Sequence, residues 1–255
     1  MKIKNLKIKF FRGIYDLTLD FSTDQPIVFI GNNGVGKSTI LDCLAVFLSR
    51  LMMAVRTPRG VLPPTITEKD ITNGYNETIN ETTISVDQLG DLPLTFILDR
   101  RTFAEDSQGE SDELNVFHSF VYGQFKANPK ASLPLAVYYP TNRTVYDSIS
   151  LENIKEDSFC QLDAYDGAIV AGKTDFTDLF MWFKKVEDLE NELRLDNNPD
   201  YRDRKLEAVR QAIYSLIPEF SDLRIRRSPL RMTVKKQDRE FIINQLSDGE
   251  KCLLA

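Results

Sequence analysis

Lysine alternates with apolar residues from the start of the chain, where Ile3, Leu6, Ile8 and Phe10 are interleaved with Lys2, Lys4, Lys7 and Lys9. This period of two, with one slip near Asn5, predicts a half-exposed strand. Gly13 permits a turn, and Leu17, Leu19 and Phe21 alternating with Thr18 and Asp20 give a second strand. Pro26 then opens the all-apolar run Ile27 to Ile30, read as a buried central strand. From Lys37 to Val55 no Gly or Pro occurs, and Ile40, Leu41, Leu44, Phe47, Leu48 and Leu51 recur at helical spacing. The order is strand, Gly-rich loop, helix.

Pro58, Gly60, Pro63, Pro64 and Gly74 interrupt the next stretch, and the run Asn73 to Thr83 is poor in large apolar residues, so it reads as a surface loop or the edge of an insertion. Thr82 to Val86 and Leu92 to Arg100 read as strands joined around Gly90, Glu105 to Glu113 as a solvated acidic segment, and Leu135 to Tyr139 as an apolar strand closed by Pro140. A helix follows from Thr177 to Leu195. Phe180, Phe183, Val186, Leu189 and Leu193 mark its apolar face, and Lys184, Lys185, Glu187, Glu190 and Glu192 are assigned to the other. A second helix follows Pro199 and ends at Pro218, with Tyr201, Leu206, Val209, Ile213 and Leu216 as its buried face. Strand character returns at Leu223 to Arg227, Leu230 to Lys235 and Glu240 to Ile243. The division expected is an N-terminal lobe at 1–145, a helical insertion at 146–220, and strands rejoining the first lobe at 221–255.

The loop itself carries chemistry. Gly31-Asn32-Asn33-Gly34-Val35-Gly36-Lys37-Ser38 satisfies G-x-x-x-x-G-K-[ST] between an apolar run and a helix. The glycines let the backbone wrap a polyphosphate with its N–H groups and the positive end of the helix dipole aimed inward. Lys37 would reach the β- and γ-phosphates of ATP, Ser38 would ligate Mg²⁺, and Thr39 would back the loop. Near the other end, Ser247 and Glu250 have capping-box spacing and predict a helix from Asp248.

Charge and cysteines narrow the class. A net charge of -6 excludes a surface that is one electrostatic footprint for nucleic acid, although Arg224, Arg226, Arg227, Arg231, Lys235 and Lys236 make a local basic run. Cys43, Cys160 and Cys252 are odd in number and far apart, which fits free thiols in a reducing compartment, the cytoplasm. No stretch reads as a signal peptide or membrane span.

Gln245-Leu246-Ser247-Asp248-Gly249-Glu250-Lys251 resembles the L-S-G-G-E signature of ABC-type ATPases, with Asp248 in place of the first glycine. In that family the signature of one protomer faces the γ-phosphate on the other's P-loop, which implies a trans role for Ser247, Asp248, Gly249 and Glu250. The opening, Asn5-Leu6 to Phe11-Arg12-Gly13-Ile14 and on to Phe29-Ile30-Gly31-Asn32-Asn33-Gly34, is similar to RecF/SMC-type ATPases. Tyr138-Tyr139-Pro140-Thr141-Asn142-Arg143, Phe183 to Glu192, Arg227 to Arg231 and Gln245 to Leu254 resemble the ATPase of Septu-type and retron-associated antiphage systems.

The resemblance implies an α/β P-loop NTPase with an ABC-ATPase-like head, a mixed sheet and a helical insertion. It implies ATP and Mg²⁺, a homodimer or higher homo-oligomer, an HNH-type nuclease subunit, and in the retron version a reverse transcriptase with its RNA–DNA product. It also implies a Walker B acidic pair beyond Ala255, so the segment is expected to bind ATP better than it hydrolyses it, with the catalytic acid unassigned. A DNA-repair ATPase of RecF/SMC type and a nucleotide-gated scaffold are the rival readings. Gln88, Gln124 and Gln161 stay open as the Q-loop residue, and Arg143 stands between a pocket and a structural role. His118 is given none.

Overall fold

The lysine-alternating segment folds as β1 (Lys2–Phe11), which turns through Arg12 and Gly13 into β2 (Ile14–Asp20). The computed structural model describes residues 1–21, 25–56, 65–101, 105–106, 112–140, 144–145, 161–165, 169, 173–174, 177–196 and 198–254. Two units divide the chain, Met1–Thr141 with Cys160–Ala171 and Asn142–Phe159 with Gly172–Ala255.

In the first unit, β3 (Glu77–Val86), β4 (Gly90–Asp99) and the short β5 (Glu105–Asp106) complete a sheet of order β2-β1-β3-β4-β5, antiparallel at every pairing. The slip near Asn5 is a register shift between Ile3 and Asn5 against β3. Helix α1 (Lys37–Val55) shares one core with the sheet, placing Cys43, Phe47 and Leu51 with Leu6 and Ile8 of β1 and Phe96 of β4. This explains why α1, with mean hydropathy 1.7, is long and apolar enough to pass for a membrane span by length and composition, contrary to expectation. Helix α2 (Asp112–Ala127) packs on α1 and buries Phe117 and Val121; sequence periodicity missed it, because Val116 and Tyr122 stay exposed and blur the apolar face.

Three sequence expectations are corrected in this unit. The polar run read as a surface loop or the edge of an insertion enters β3 from Glu77 onward, where Thr78, Asn80 and Thr82 are buried. The Thr78 hydroxyl donates to the Lys9 carbonyl at 2.8 Å and the Thr82 hydroxyl to that of Asn5 at 2.6 Å, which lets polar residues fill an inward-facing row. Neither Ile27 to Ile30 nor Leu135 to Tyr139 is a strand, and Val28 and Ile30 are 74% and 93% exposed. The two runs border an open apolar cavity of about 450 Å³, together with Leu41, Leu44 and Leu48 of α1. A strand is made by its hydrogen-bonded ladder as well as its side chains, and neither run has a ladder neighbour among the described residues. Thr141, Asn142, Arg143 and Cys160 lie outside the described residues.

The second unit holds a parallel pair, β6 (Thr144–Val145) with β7 (Lys173–Thr174), and helices α3 (Thr177–Asp196) and α4 (Arg204–Leu216). Its antiparallel sheet, of order β10-β9-β8, comprises β8 (Phe220–Arg227), β9 (Leu230–Lys236) and β10 (Arg239–Ile242), and α5 (Asp248–Leu254) follows. Asp203 caps α4, accepting from the backbone N–H groups of Lys205 and Leu206. On α4, Leu206 and Ile213 are buried as read, whereas Leu216 is 60% exposed.

The inner face of α3 departs from the pattern more sharply. Phe180, Phe183, Glu187 and Glu190 face inward, while Leu189 is exposed. The glutamates are held by partners that an apolar side chain would leave unsatisfied. Glu190 accepts from Arg194 at 2.6 Å, from Arg210 at 3.4 Å and from the Asp203 N–H at 2.7 Å. Glu187 accepts from Arg210 at 3.1 Å, Arg227 at 2.5 Å and the Ile225 N–H at 3.0 Å. That last bond, with Arg210 donating to the Leu223 carbonyl at 3.3 Å, occupies backbone groups of the edge strand β8 and protects it from pairing with another chain.

This assignment of faces has a measurable consequence. Glu190→Ala takes from Arg194 its buried carboxylate, leaves Arg210 with Glu187 as its remaining buried partner, strands the Asp203 N–H, and is expected to cost about 3–5 kcal/mol. Leu189→Ala is expected to stay within about 0.5 kcal/mol. Urea unfolding followed by Trp182 fluorescence separates the two; equal losses would return Leu189 to the core.

Candidate nucleotide site

Gly36 caps α1 at φ 97° with no side-chain hydrogen bond to the helix, and no acidic residue occupies the first turn. The leading N–H groups of Lys37, Ser38 and Thr39 therefore meet no helical acceptor, and a 19-residue helix concentrates positive potential there. Gly34, at φ 85°, also takes the left-handed conformation that lets the loop wrap. A Cβ on Gly31 would stand 3.1 Å from Val35 Cγ2, so the loop closes tightly at its first residue as well. The Lys37 ammonium folds back to donate to the carbonyls of Gly31 at 2.7 Å and Asn32 at 2.6 Å. Asn32, Asn33, Gly34, Val35 and Ser38 are exposed. An open loop with uncapped N–H groups, a lysine inside it and a hydroxyl at its rim fits a polyphosphate with a divalent cation.

Sequence reasoning did not assign the group of side chains that steadies this loop. Arg12, at φ 52° in the β1–β2 turn, pairs through Nη1 with Asp42 of α1 and through Nε with Asp70 at 2.8 Å. The Tyr138 hydroxyl donates to the other oxygen of Asp42. Ile14, two residues past Arg12, comes within 3.6 Å of where a Cβ on Gly36 would lie. The β1–β2 turn thus touches both the loop and its helix. Burial disfavours the charged forms of Arg12 and Asp70, but bonds from Thr67 and between the two outweigh it, lowering the Asp70 pKa and raising that of Arg12. Burial pushes the Tyr138 phenol up, with Asp42 adding to it, and pushes the neighbouring Cys43 thiol to about 12, which leaves it an inert core thiol. The string Phe11-Arg12-Gly13 was visible in sequence; its carboxylate partners were not.

Ser247 to Glu250 sit in the second unit, where the predicted capping box forms. The Ser247 N–H donates to Glu250 Oε2 at 2.9 Å, the Ser247 hydroxyl to the same oxygen at 2.7 Å, and the Glu250 N–H to Ser247 Oγ at 3.4 Å. Lys236 of β9 reaches Glu250 Oε1 at 2.7 Å, tying the cap to the sheet. The Asp248 side chain is fully exposed, and a Cβ on Gly249 would meet nothing. Of the Q-loop candidates, Gln124 donates to Gln88 at 2.9 Å and Gln161 to the Ala131 carbonyl at 2.6 Å. His118 lies beside Tyr122 on α2.

A glycine loop opening an uncapped helix, with its lysine folded inside, defines the chain as a P-loop NTPase. Residues 1–164 match the AAA ATPase domain, and the chain belongs to that family. Over its full length it is 26% identical to the "Retron Ec83 probable ATPase" of Escherichia coli and 23% identical to the "Retron Vc95 probable ATPase" of Vibrio cholerae. It spans 57% and 58% of the length of these relatives. Among solved structures, an SmcHead bound to the C-winged helix domain of ScpA overlaps 99% of this chain and 73% of its own at TM-score 0.42 and 15% identity. An SMC ATPase described for ATP-driven dimerization and DNA-stimulated activation overlaps 45% of this chain and 76% of its own at TM-score 0.31 and 16% identity. At such scores the assignment rests on the family match.

The α5 cap has a defined pH dependence. Hydrogen bonds from Lys236 and Ser247 lower the Glu250 pKa from 4.5 to about 2. A pKa depressed by folding contributes stability above the unfolded value, and that contribution is lost as pH falls from about 4.5 towards 2. Acid titration of amide protection at 248–251 is expected to show the loss, and Glu250→Gln to remove this step from the profile.

Proposed function

We propose that this chain is the nucleotide-binding head of a cytoplasmic ATPase that regulates a partner nuclease in antiphage defence. The observation that carries the nucleotide part is the uncapped start of α1 with Lys37 folded into the loop. Gly31 to Gly36 would wrap the triphosphate with backbone N–H groups. Lys37 would exchange its two carbonyl acceptors for the β- and γ-phosphates. Ser38 would hold Mg²⁺ and Thr39 would stand behind it. Mg²⁺ supplies charge neutralisation between the phosphates; this chain's own part is to position them. Ser247 and the backbone of Asp248 to Glu250 would meet the γ-phosphate on a second copy, making the closed state a homodimer or part of a larger homo-oligomer. The retron names of the two relatives support a retron association; the defence role, an HNH-type nuclease and a reverse transcriptase with its RNA–DNA product as partners follow from the resemblance to Septu-type and retron-associated systems.

The first measurement is titration of ATP with Mg²⁺ into the chain by calorimetry. Saturable binding is expected, with Lys37→Ala weakening it at least about tenfold, the scale of a lost charge-assisted contact. Binding untouched by Lys37→Ala would sink the assignment. Hydrolysis measured in parallel tests whether turnover needs residues beyond Ala255: steady turnover by this chain alone would place the catalytic acid within it. Co-expression with an HNH-type nuclease, followed by purification through this chain, tests the partner.

A further inference from the structure

In the second unit a cavity of about 460 Å³ opens between α3, α4 and the edge strand β8. Residues at helical spacing give it two walls, Glu187, Asn191 and Arg194 from α3 and Glu207, Arg210 and Tyr214 from α4. Residues 222–227 close it from β8, and Arg202 joins the lining from the connection between the two helices.

The carboxylates and edge-strand carbonyls of this lining are already taken. Glu187 is shared by Arg210, Arg227 and the Ile225 N–H, and Asp222 holds Arg224 and Lys235. Glu207 accepts from Gln211 at 2.7 Å, and its other oxygen faces Arg210 at 3.9 Å. The carbonyls of Leu223 and Ile225 accept from Arg210 and Arg227. Donors are left over. The Asn191 amide nitrogen donates to nothing among the described residues, its oxygen accepting from Arg194 at 3.5 Å. The Tyr214 hydroxyl accepts from the Leu223 N–H at 2.8 Å and likewise donates to nothing there. Arg202 is exposed and gives one bond, to the Tyr201 carbonyl at 3.1 Å. The other lining arginines each hold a carboxylate, and Arg202 holds none among the described residues.

A ligand that fills this cavity has to accept hydrogen bonds, and six arginines against three carboxylates in the lining make an anion the fitting acceptor. Its free donors come from three places, α3, the connection and α4. The oxygens of a tetrahedral phosphate can meet all of them, and a guanidinium fork matches two of those oxygens at once. The volume is that of a small-molecule site, with room beyond a single phosphate. We infer that this cavity binds the phosphate group of a nucleotide-sized phosphate monoester through Arg202, Asn191 and Tyr214. The ion-paired arginines keep their carboxylates and act only as the positive wall. The site uses none of the P-loop or Ser247 segments, so its failure is separable from failure of the nucleotide assignment.

Titration of adenosine monophosphate into the isotope-labelled chain, followed by NMR at the amides of 191, 202 and 214, tests it. Saturable shifts are expected at about millimolar ligand, with none from adenosine. Arg202→Ala is expected to weaken binding at least about tenfold and Asn191→Ala about threefold, while Arg202→Lys, which keeps the charge and loses the fork, falls between the unaltered chain and Arg202→Ala. Lys37→Ala is expected to leave these shifts unchanged. A short oligonucleotide with a 5′-phosphate, compared with its 5′-hydroxyl counterpart, separates the two sources of such a group. Tighter binding than adenosine monophosphate assigns the site to a strand end, and equal or weaker binding assigns it to a free nucleotide. Urea midpoints check that the variants are folded; should Arg202→Ala fail to fold, Asn191→Ala decides. Shifts that do not saturate, equal shifts with adenosine, or binding indifferent to Arg202→Ala overturn the inference.

Discussion

The ion pair between Arg12 and Asp42 fastens the β1–β2 turn to the second turn of α1, and the first unit is organised around that join. A P-loop helix faces opposing demands. Its first N–H groups must stay unbonded to receive an anion, while the turns behind them must not move. Apolar burial of Ile40, Cys43, Phe47 and Leu51 fixes the helix, but its grip does not reach the loop ahead of it, where Asn32 to Val35 are exposed. Arg12 and Tyr138 supply the grip by holding both oxygens of Asp42 from two sides. Asp70 holds Arg12 in turn and is itself placed by the Thr67 N–H and hydroxyl at 2.8 and 2.9 Å. Charge-assisted bonds suit this position, because they fix direction as well as distance at a site too exposed for hydrophobic packing to do so.

The second unit solves a related problem with the same chemistry placed deeper. Two helices and a three-stranded sheet give a small apolar core, and its boundary is drawn by Glu187 and Glu190. Each carboxylate serves a guanidinium and a backbone N–H at once, so α3 is joined to α4 and to β8 at fixed points. A hydrophobic pair of equal volume would supply burial without satisfying the Ile225 and Asp203 N–H groups, and such orphaned groups cost about 1–3 kcal/mol each. The inward glutamates also set which side of α3 is left over. Once they and the phenylalanines face the sheet, Leu189 has to face outward.

Much of this was legible in the sequence wherever a single period governed a segment. The alternation in β1, its slip near Asn5, the extent of α1 and the Ser247–Glu250 cap were all readable, because each depends on contacts within a few residues. The failures share a cause in long-range polar partners. Thr78, Asn80 and Thr82 look like loop residues until β1 offers carbonyls to the threonines, with the Asn80 amide bonding to Thr78 at 3.0 Å. Glu187 and Glu190 look like a solvated face until arginines from α3's own last turn, α4 and β8 converge on them. The runs at 27–30 and 135–139 erred the other way, because apolar composition predicts burial but does not provide a hydrogen-bonded neighbour. At the nucleotide loop the motif was readable as a continuous string, and the clasp at Asp42 stayed hidden because its bonded pairs lie as much as 96 residues apart.

The basic run on β8 and β9 shows why a sequence count of arginines overstates an electrostatic surface. Arg224 pairs with Asp222, Arg226 forks onto Glu240 at 2.7 and 3.0 Å, and Arg227 is shared between Glu187 and Asp188. Lys235 meets Asp222 at 3.1 Å and Lys236 meets Glu250 at 2.7 Å. Binding to nucleic acid gains its free energy largely when cations replace condensed counterions on the phosphates. A guanidinium already bonded to a carboxylate must first give up that partner, which offsets much of the gain. For Arg227 it would also release the buried Glu187 that anchors α3 to β8. These five cations therefore act as the sheet's fastening, and a phosphate contact made by any of them would have to break one of the unit's own ion pairs to form.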